Sequence, residues 1–383
     1  MSKEMSLHNG MTAAGKPAPK LAGCCLALPA LVLCCAGAIG TAHAQMPTAG
    51  SQLLPVPVQN ISTVPKDGDT NPYGVAFVPQ TFVAKGLLAP GDLLVSNFNN
   101  SAGMQGTGTS ITLLTQAGAK STFFKGTGLG LSTGLAVLSS GYVMAANVPT
   151  TDGTCSTLTP GSLIFLNSSG IPVLNYANPE LIDEPWDATV YDMGTSFYVF
   201  VSNAGNGTIS RLLFTVGTTG PTFKSGVVIA GGYMHSCTSS SFIVANTGLA
   251  YDWYTNILYV ASTGDNTIYQ MDNATETGSD RGRGDVLYTS TTRLHGPNAL
   301  IMTPNGHLIA GNSDFVNAVP TKPSEYVEIT PGGQYVGELS IDPAEGGSFG
   351  LGLGVFGDTV RFAAVDDNTN SINIWTLPLN LEY

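Results

Sequence analysis

Residues 258–271 read LYVASTGDNTIYQM. An apolar strand runs into Gly-Asp-Asn, and a second strand starts at once with Thr-Ile. Such breaks make tight turns, because Gly accepts a positive φ and Asn and Asp bond their own backbone. Five other segments repeat this order of strand, Asn/Asp/Gly-rich break and strand: 92–115, 141–167, 196–214, 307–330 and 360–375. A short apolar strand entered through Gly or Pro precedes each of the six: NPYGVAFV (71–78), STGLAVL (132–138), EPWDATVY (184–191), NTGLAYD (246–252), GPNALIM (296–302) and GLGLGVF (350–356). A strand-only period of about 50 residues predicts a β-propeller with one four-stranded blade per repeat. The expected fold is all-β, with six blades closing into one ring. The last repeat lacks a fourth strand after INIWTLP (372–378), and VPVQNISTV (56–64) alternates suitably to supply it. An N-terminal strand that closes the last blade would remove an exposed sheet edge.

The stretch GLAYDWYTNILYVASTGDNTIYQM (248–271) resembles the NHL repeat, and PYGVAFV with LLVSNFNN is similar to it. The resemblance covers roughly residues 70 to 380 and implies a six-bladed propeller of a secreted bacterial type. NHL-like rings include protein-binding modules, lyases and lactonases, so the resemblance leaves activity open. Gluconolactonase-like rings place Glu, Asn, Asn and Asp at the inner-strand entrances. Here the residues before the Gly-like position are Tyr73, Thr133, Trp186, Thr247, Asn298 and Leu351, which supply a single Asn.

Composition agrees with many short strands: the chain holds 47 Gly and 23 Pro, and only 10% of it is charged. The formal charge is −12 and no Lys/Arg-rich run occurs, which argues against a nucleic-acid partner. Residues 1–44 read as an export signal. Lys16 and Lys20 precede the apolar run 21–40, and Ala-His-Ala (42–44) offers a cleavage site. A retained anchor is the alternative, since the run is long enough to span a bilayer. Residues 45–69 form an N-terminal segment with the closing strand, and 70–383 form the propeller. The expected location is periplasmic or extracellular, as a monomer, without membrane contact after signal cleavage. Cleavage removes four of the six cysteines and leaves Cys155 and Cys237. In an exported chain these suggest one disulfide, with two free thiols as the alternative.

Strands alternate direction outward from the ring axis. Loops between second and third strands therefore share a face with the connections between blades. The long insertions, 99–109, 148–161, 215–245 and 313–325, all fall in these two classes, whereas turns such as 254–256 and 303–306 are tight. One face is elaborated and the other plain. Loops on a rigid scaffold carry function, so the elaborated face is the expected binding surface. Drift in loop length without function is the competing reading. His235 and His295 precede inner strands of consecutive blades, and Glu184 and Asp187 occupy the entrance one blade earlier. Around one channel mouth His235, His295 and Glu184 can act as acid and base or hold a divalent metal, although no short-range ligand spacing marks them. Ordinary loop polarity is the alternative. Tyr73, Trp186, Asp187, Tyr233 and Asn298 are candidate binding residues, and inner-strand packing competes for the aromatics. His307 is expected to be solvated on the plain face.

The clusters Asn97-Asn99-Asn100, Asp265-Asn266 and Asp366-Asp367-Asn368 lack the EF-hand ligand pattern and read as turn chemistry. GLGLSTG (128–134) has no following helix to make it a phosphate cradle. No cofactor is predicted, with a divalent metal left open. Two functions stay open. One is a binding module whose long-loop face takes a small molecule, glycan or extracytoplasmic protein. The other is a metal-assisted lyase or hydrolase built on His235, His295 and Glu184.

Overall fold

A computed structural model describes residues 59–238 and 242–379. The export-signal reading and residues 56–58 lie outside these. Six four-stranded antiparallel sheets form the blades. Blade 1 runs from Thr70–Phe77 to Lys120–Lys125, blade 2 from Leu131–Val137 to Pro172–Tyr176, and blade 3 from Pro185–Asp192 to Gly220–Ala230. Blade 4 runs from Asn246–Asp252 to Asp285–Thr289 and blade 5 from Pro297–Met302 to Tyr335–Ser340. Blade 6 has only three strands of its own, Ser348–Phe356, Thr359–Asp366 and Ser371–Pro378. Gln59–Ser62 completes it, pairing antiparallel with the last strand from Gln59↔Ile374 to Ser62↔Ser371. The first and last described strands thus pair in one sheet and clasp the ring.

The inner strands have one design. Each breaks register with its neighbour near its start, as between Pro72 and Val75, Pro185 and Ala188, and Ser348 and Leu351. The bulge lets the inner strands approach one another closely. At Gly350 an added Cβ would fall 1.6 Å from the Tyr73 carbonyl oxygen, so only glycine fits between blades 6 and 1. Hydroxyls then tie the blades in sequence from blade 1 to blade 6. Ser96 Oγ donates to the Ser132 carbonyl (3.0 Å), Ser132 Oγ to that of Pro185 (2.8 Å), and Ser202 Oγ to that of Asn246. Thr263 Oγ1 donates to the Pro297 carbonyl (2.8 Å) and Tyr326 Oη to that of Val365 (2.7 Å).

Apolar clusters fill the wedges between blades. Phe165 of blade 2, for instance, packs on Phe197 and Phe214 of blade 3 with ring centroids 5.9 and 5.1 Å away. The recurrent Asn at the end of the second strand is structural: the Asn147, Asn203 and Asn312 amide oxygens each accept a backbone N–H from the entrance of their own inner strand. This is the physical content of the repeated Val-Ser-Asn and Ala-Ala-Asn signature.

Two readings change. Long connections are not confined to the elaborated face, since 78–92 in blade 1 and 272–284 in blade 4 lie on the plain one. The span 215–245 is not a single insertion. Thr208–Gly217 and Gly220–Ala230 form a long hairpin that is the outer half of blade 3. Gly220 takes φ +127 at its turn, which lies on the plain face. The connection on the elaborated face is only 231–245.

Candidate functional site

Register places Tyr73, Thr133, Trp186, Thr247, Asn298 and Phe349 at one equivalent bulge position, one per blade. Phe349 takes the place expected for Leu351, because Ser348 and not Gly350 pairs opposite the end of the second strand. Their bulky members meet across the axis. Tyr73 stacks between Phe98 and Phe349 at 4.8 and 4.5 Å, and Trp186 meets Tyr73 and Phe98 edge-on at 5.6 and 5.2 Å. Phe242, from the 231–245 connection, closes on Phe98 at 5.8 Å. Phe315, from the 313–325 loop, closes on Phe349 at the same distance. The axial mouth on the elaborated face is therefore packed with aromatic rings. Tyr73 and Trp186 are only 4% and 3% exposed, so they serve here as packing and offer no free ring face.

A disulfide between Cys155 and Cys237 joins the 148–161 loop to the 231–245 connection. Leu158 and Cys237 pack against the axial cluster, so the link seats both loops on the aromatic plug. Tyr233 is buried on Tyr269, and its hydroxyl donates to the Arg283 carbonyl at 2.9 Å.

The sequence-selected ionisable groups separate into two places. Glu184 and His235 belong together. Glu184 stands at φ +53 before Pro185, half-buried, and its N–H donates to the Pro160 carbonyl at 2.8 Å. Burial and, next, the Asp183 charge raise its carboxyl to about 7, while His235 opposes the shift. His235 is exposed, with Nδ1 3.1 Å from the Tyr233 carbonyl oxygen. Asp187 lies deeper. Its two oxygens accept the Ala188 and Leu249 N–H groups, each at 2.8 Å, which ties blade 3 to blade 4. Burial raises it to about 7 against these bonds.

His295 belongs elsewhere. It is fully buried, and one ligand atom each of His295, Asp314 and Glu325 lie within 4.8 Å of one another. Among the described residues this is the His/Cys/Asp/Glu group with metal-holding geometry, and neither His235 nor Glu184 belongs to it. Its assembly follows from pairing. Pro297↔Asn312 registers the inner strand against the second, so the residue before Gly296 faces the residue after Ser313. The Asp314 N–H donates to the His295 carbonyl at 2.8 Å. Glu325 opens the third strand at the far end of the same loop. Asp314 and Glu325 were not selected from the sequence. The available signal was that they bracket an insertion whose two ends must meet in a hairpin.

His307 corrects an expectation. It is buried, not solvated, and its Nδ1 lies 2.7 Å from Glu328 Oε1. Glu328 is one strand over and equally buried, so a polar partner inside the sheet replaces water.

No family model matches the chain, and no curated sequence does. Solved structures share its fold. A gluconolactonase from Xanthomonas campestris superposes with a TM-score of 0.52 at 13% identity, over 85% of this chain and 98% of that one. Regucalcin from Agrobacterium tumefaciens, a calcium-binding protein, superposes with a TM-score of 0.50 at 12% identity, over 85% and 96%. At such identities the likeness defines a six-bladed propeller and nothing finer. Among the described residues no helix is long and apolar enough to cross a membrane.

Proposed function

We propose that the protein is an exported NHL-like propeller that works as a binding module through its long-loop face. The ligand classes are a small molecule, a glycan or an extracytoplasmic protein. The packed axial mouth is the observation that carries this reading. Aromatic rings and a disulfide-seated connection fill the place where an axial reaction chamber would open, and they leave a pre-built surface of loops. Rigid loops bind without paying to be ordered. That surface is not flat. Asn147, Pro149, Thr159, Pro160, Asn175 and Asn178 line a cleft of about 390 Å³ beside the Cys155 loop. The volume suits a small polar ligand. A disulfide of this kind accords with export to an oxidising compartment.

A second reading rests on Glu184. An acid titrating near 7 beside an exposed imidazole is matched to general acid–base work at neutral pH. One experiment separates the two. The mature protein is screened by thermal shift against glycans and small polar metabolites, and in parallel for turnover of lactones and glycosides. A ligand whose shift is lost in Asn178→Ala and retained in Glu184→Gln supports the binding module. Turnover abolished in Glu184→Gln and His235→Ala overturns it in favour of an enzyme.

A further inference from the structure

We propose that His295, Asp314 and Glu325 bind one divalent cation of the Zn2+ class, and that this ion ties the 313–325 loop to the entrance of blade 5. The inference is independent of what the loop face binds.

Unpaired atoms carry the argument. His295 Nε2, Asp314 Oδ1 and Glu325 Oε1 are all buried without a hydrogen-bond partner. His307 Nε2 in the same blade is unpaired as well, so the two free carboxylate oxygens, Asp314 Oδ1 and Glu325 Oε1, carry the weight here. The direct contacts do not satisfy the group. His295 Nδ1 is 3.4 Å from each Glu325 oxygen, too long for a charge-assisted hydrogen bond. Glu328 and His307 of the same blade close to 2.7 Å. The group also lacks a cation. Two carboxylates face one imidazole, and among the described residues no Lys or Arg pairs with either. The nearby Arg293 and Lys322 both go to Glu338, at 2.7 and 2.6 Å. A bound dication would pair with both carboxyl groups and satisfy their free oxygens.

Asp314 is held for the task. Its Oδ2 accepts the N–H groups of Ser324 and Gly346, both at 2.9 Å, while Oδ1 is left without a partner. Asp314 and Ser324 adopt φ +59 and +51, a left-handed conformation that non-glycine residues take at a cost. The donor set decides the ion. One imidazole nitrogen with two carboxylates suits Zn2+ or its transition-metal neighbours, whereas Ca2+ prefers an all-oxygen shell. His295, Asp314 and Glu325 are at most 8% exposed, so the ion serves structure and not substrate.

The test uses the untagged mature protein, because a polyhistidine tag binds the same metals. Elemental mass spectrometry should find about one Zn2+ per chain. Chelation should lower Tm by roughly 5 °C. Zn2+ should restore it, and Ca2+ at equal concentration should not. Asp314→Asn and Glu325→Gln should lower occupancy roughly tenfold or more, while Glu184→Gln keeps full occupancy. Co2+ loaded into the stripped wild type should show visible d–d absorption, a readout that survives if either variant fails to fold. The proposal is overturned if the wild type neither carries nor responds to Zn2+, Mn2+ or Co2+. It is equally overturned if Ca2+ alone restores Tm, or if both variants keep their metal.

Discussion

Blade 5 holds the same two residue types at both of its ends and uses them differently. On the plain face His307, just after the tight turn 303–306, and Glu328 of the third strand meet at 2.7 Å and pair directly. On the elaborated face His295 and Glu325 stay 3.4 Å apart, and Asp314 turns in as a third member. Loop length makes the difference. The turn at 303–306 is short and brings no additional acid to the pair. The 313–325 loop carries an acid at each end, and hairpin pairing forces those ends together. The contrast is one of content and not of loop length alone: the plain face also carries the long connections 78–92 and 272–284, but the elaborated face holds the disulfide, the aromatic plug and the cluster.

The largest way to break the comparison is at the direct pair. Glu328→Ala would leave His307 buried without its carboxylate, at a cost of about 4 kcal/mol in equilibrium denaturation. A smaller cost would show that water reaches the plain end after all. Next comes the disulfide. Replacing Cys155 and Cys237 by Ser should cost about 3 kcal/mol, since the bond closes 82 residues of separation. Hydrogen exchange should then localise the new mobility to 148–161 and 231–245, with the tight turns unchanged.

The third prediction changes sign. Glu325→Gln should raise the Tm of metal-stripped protein by relieving like charge, and lower that of metal-loaded protein. A direct pair such as His307–Glu328 has no such dependence on metal.

A fourth concerns pH. Asp187 titrates near 7 when folded against a usual value of 3.8. The folded state thus keeps a proton that the unfolded chain gives up. Stability from this group is full below pH 3.8 and is lost as pH rises through 7. Asp187→Asn should flatten that slope by about 1 kcal/mol per pH unit between pH 4 and 7, measured by denaturant midpoints. Glu184 and Asp367, raised to about 7 and about 8, slope the same way, so some pH dependence survives the substitution. The smallest effect belongs to the plain-face surface. Trp253 is 65% exposed, and Trp253→Ser should stay within about 0.5 kcal/mol of wild type.

Architecture was legible in the chain because it depends on local patterns repeated six times. Apolar runs of strand length, Asx turns and Gly or Pro entrances need no distant partner to be recognised. The closing strand was legible for a related reason: a blade one strand short demands a donor, and an alternating segment stood at the other end of the chain. Site residues were harder to read. His295 was visible as a loop histidine, but its partners were not, since Asp314 and Glu325 lie 19 and 30 positions away. Tyr73 and Trp186 looked like surface anchors because sequence gives the face of a loop and not the width of a channel. His307 looked solvated because its neighbour Glu328 sits on another strand.

By itself, then, the sequence determined the blade count, the closure, the strand directions and hence which loops share a face. These follow from periods of two along a strand and about fifty along the chain. The tertiary structure alone decided what meets at the axis and inside blade 5. Contacts there join residues from different blades or opposite ends of a loop, and only register and ring closure set their distances.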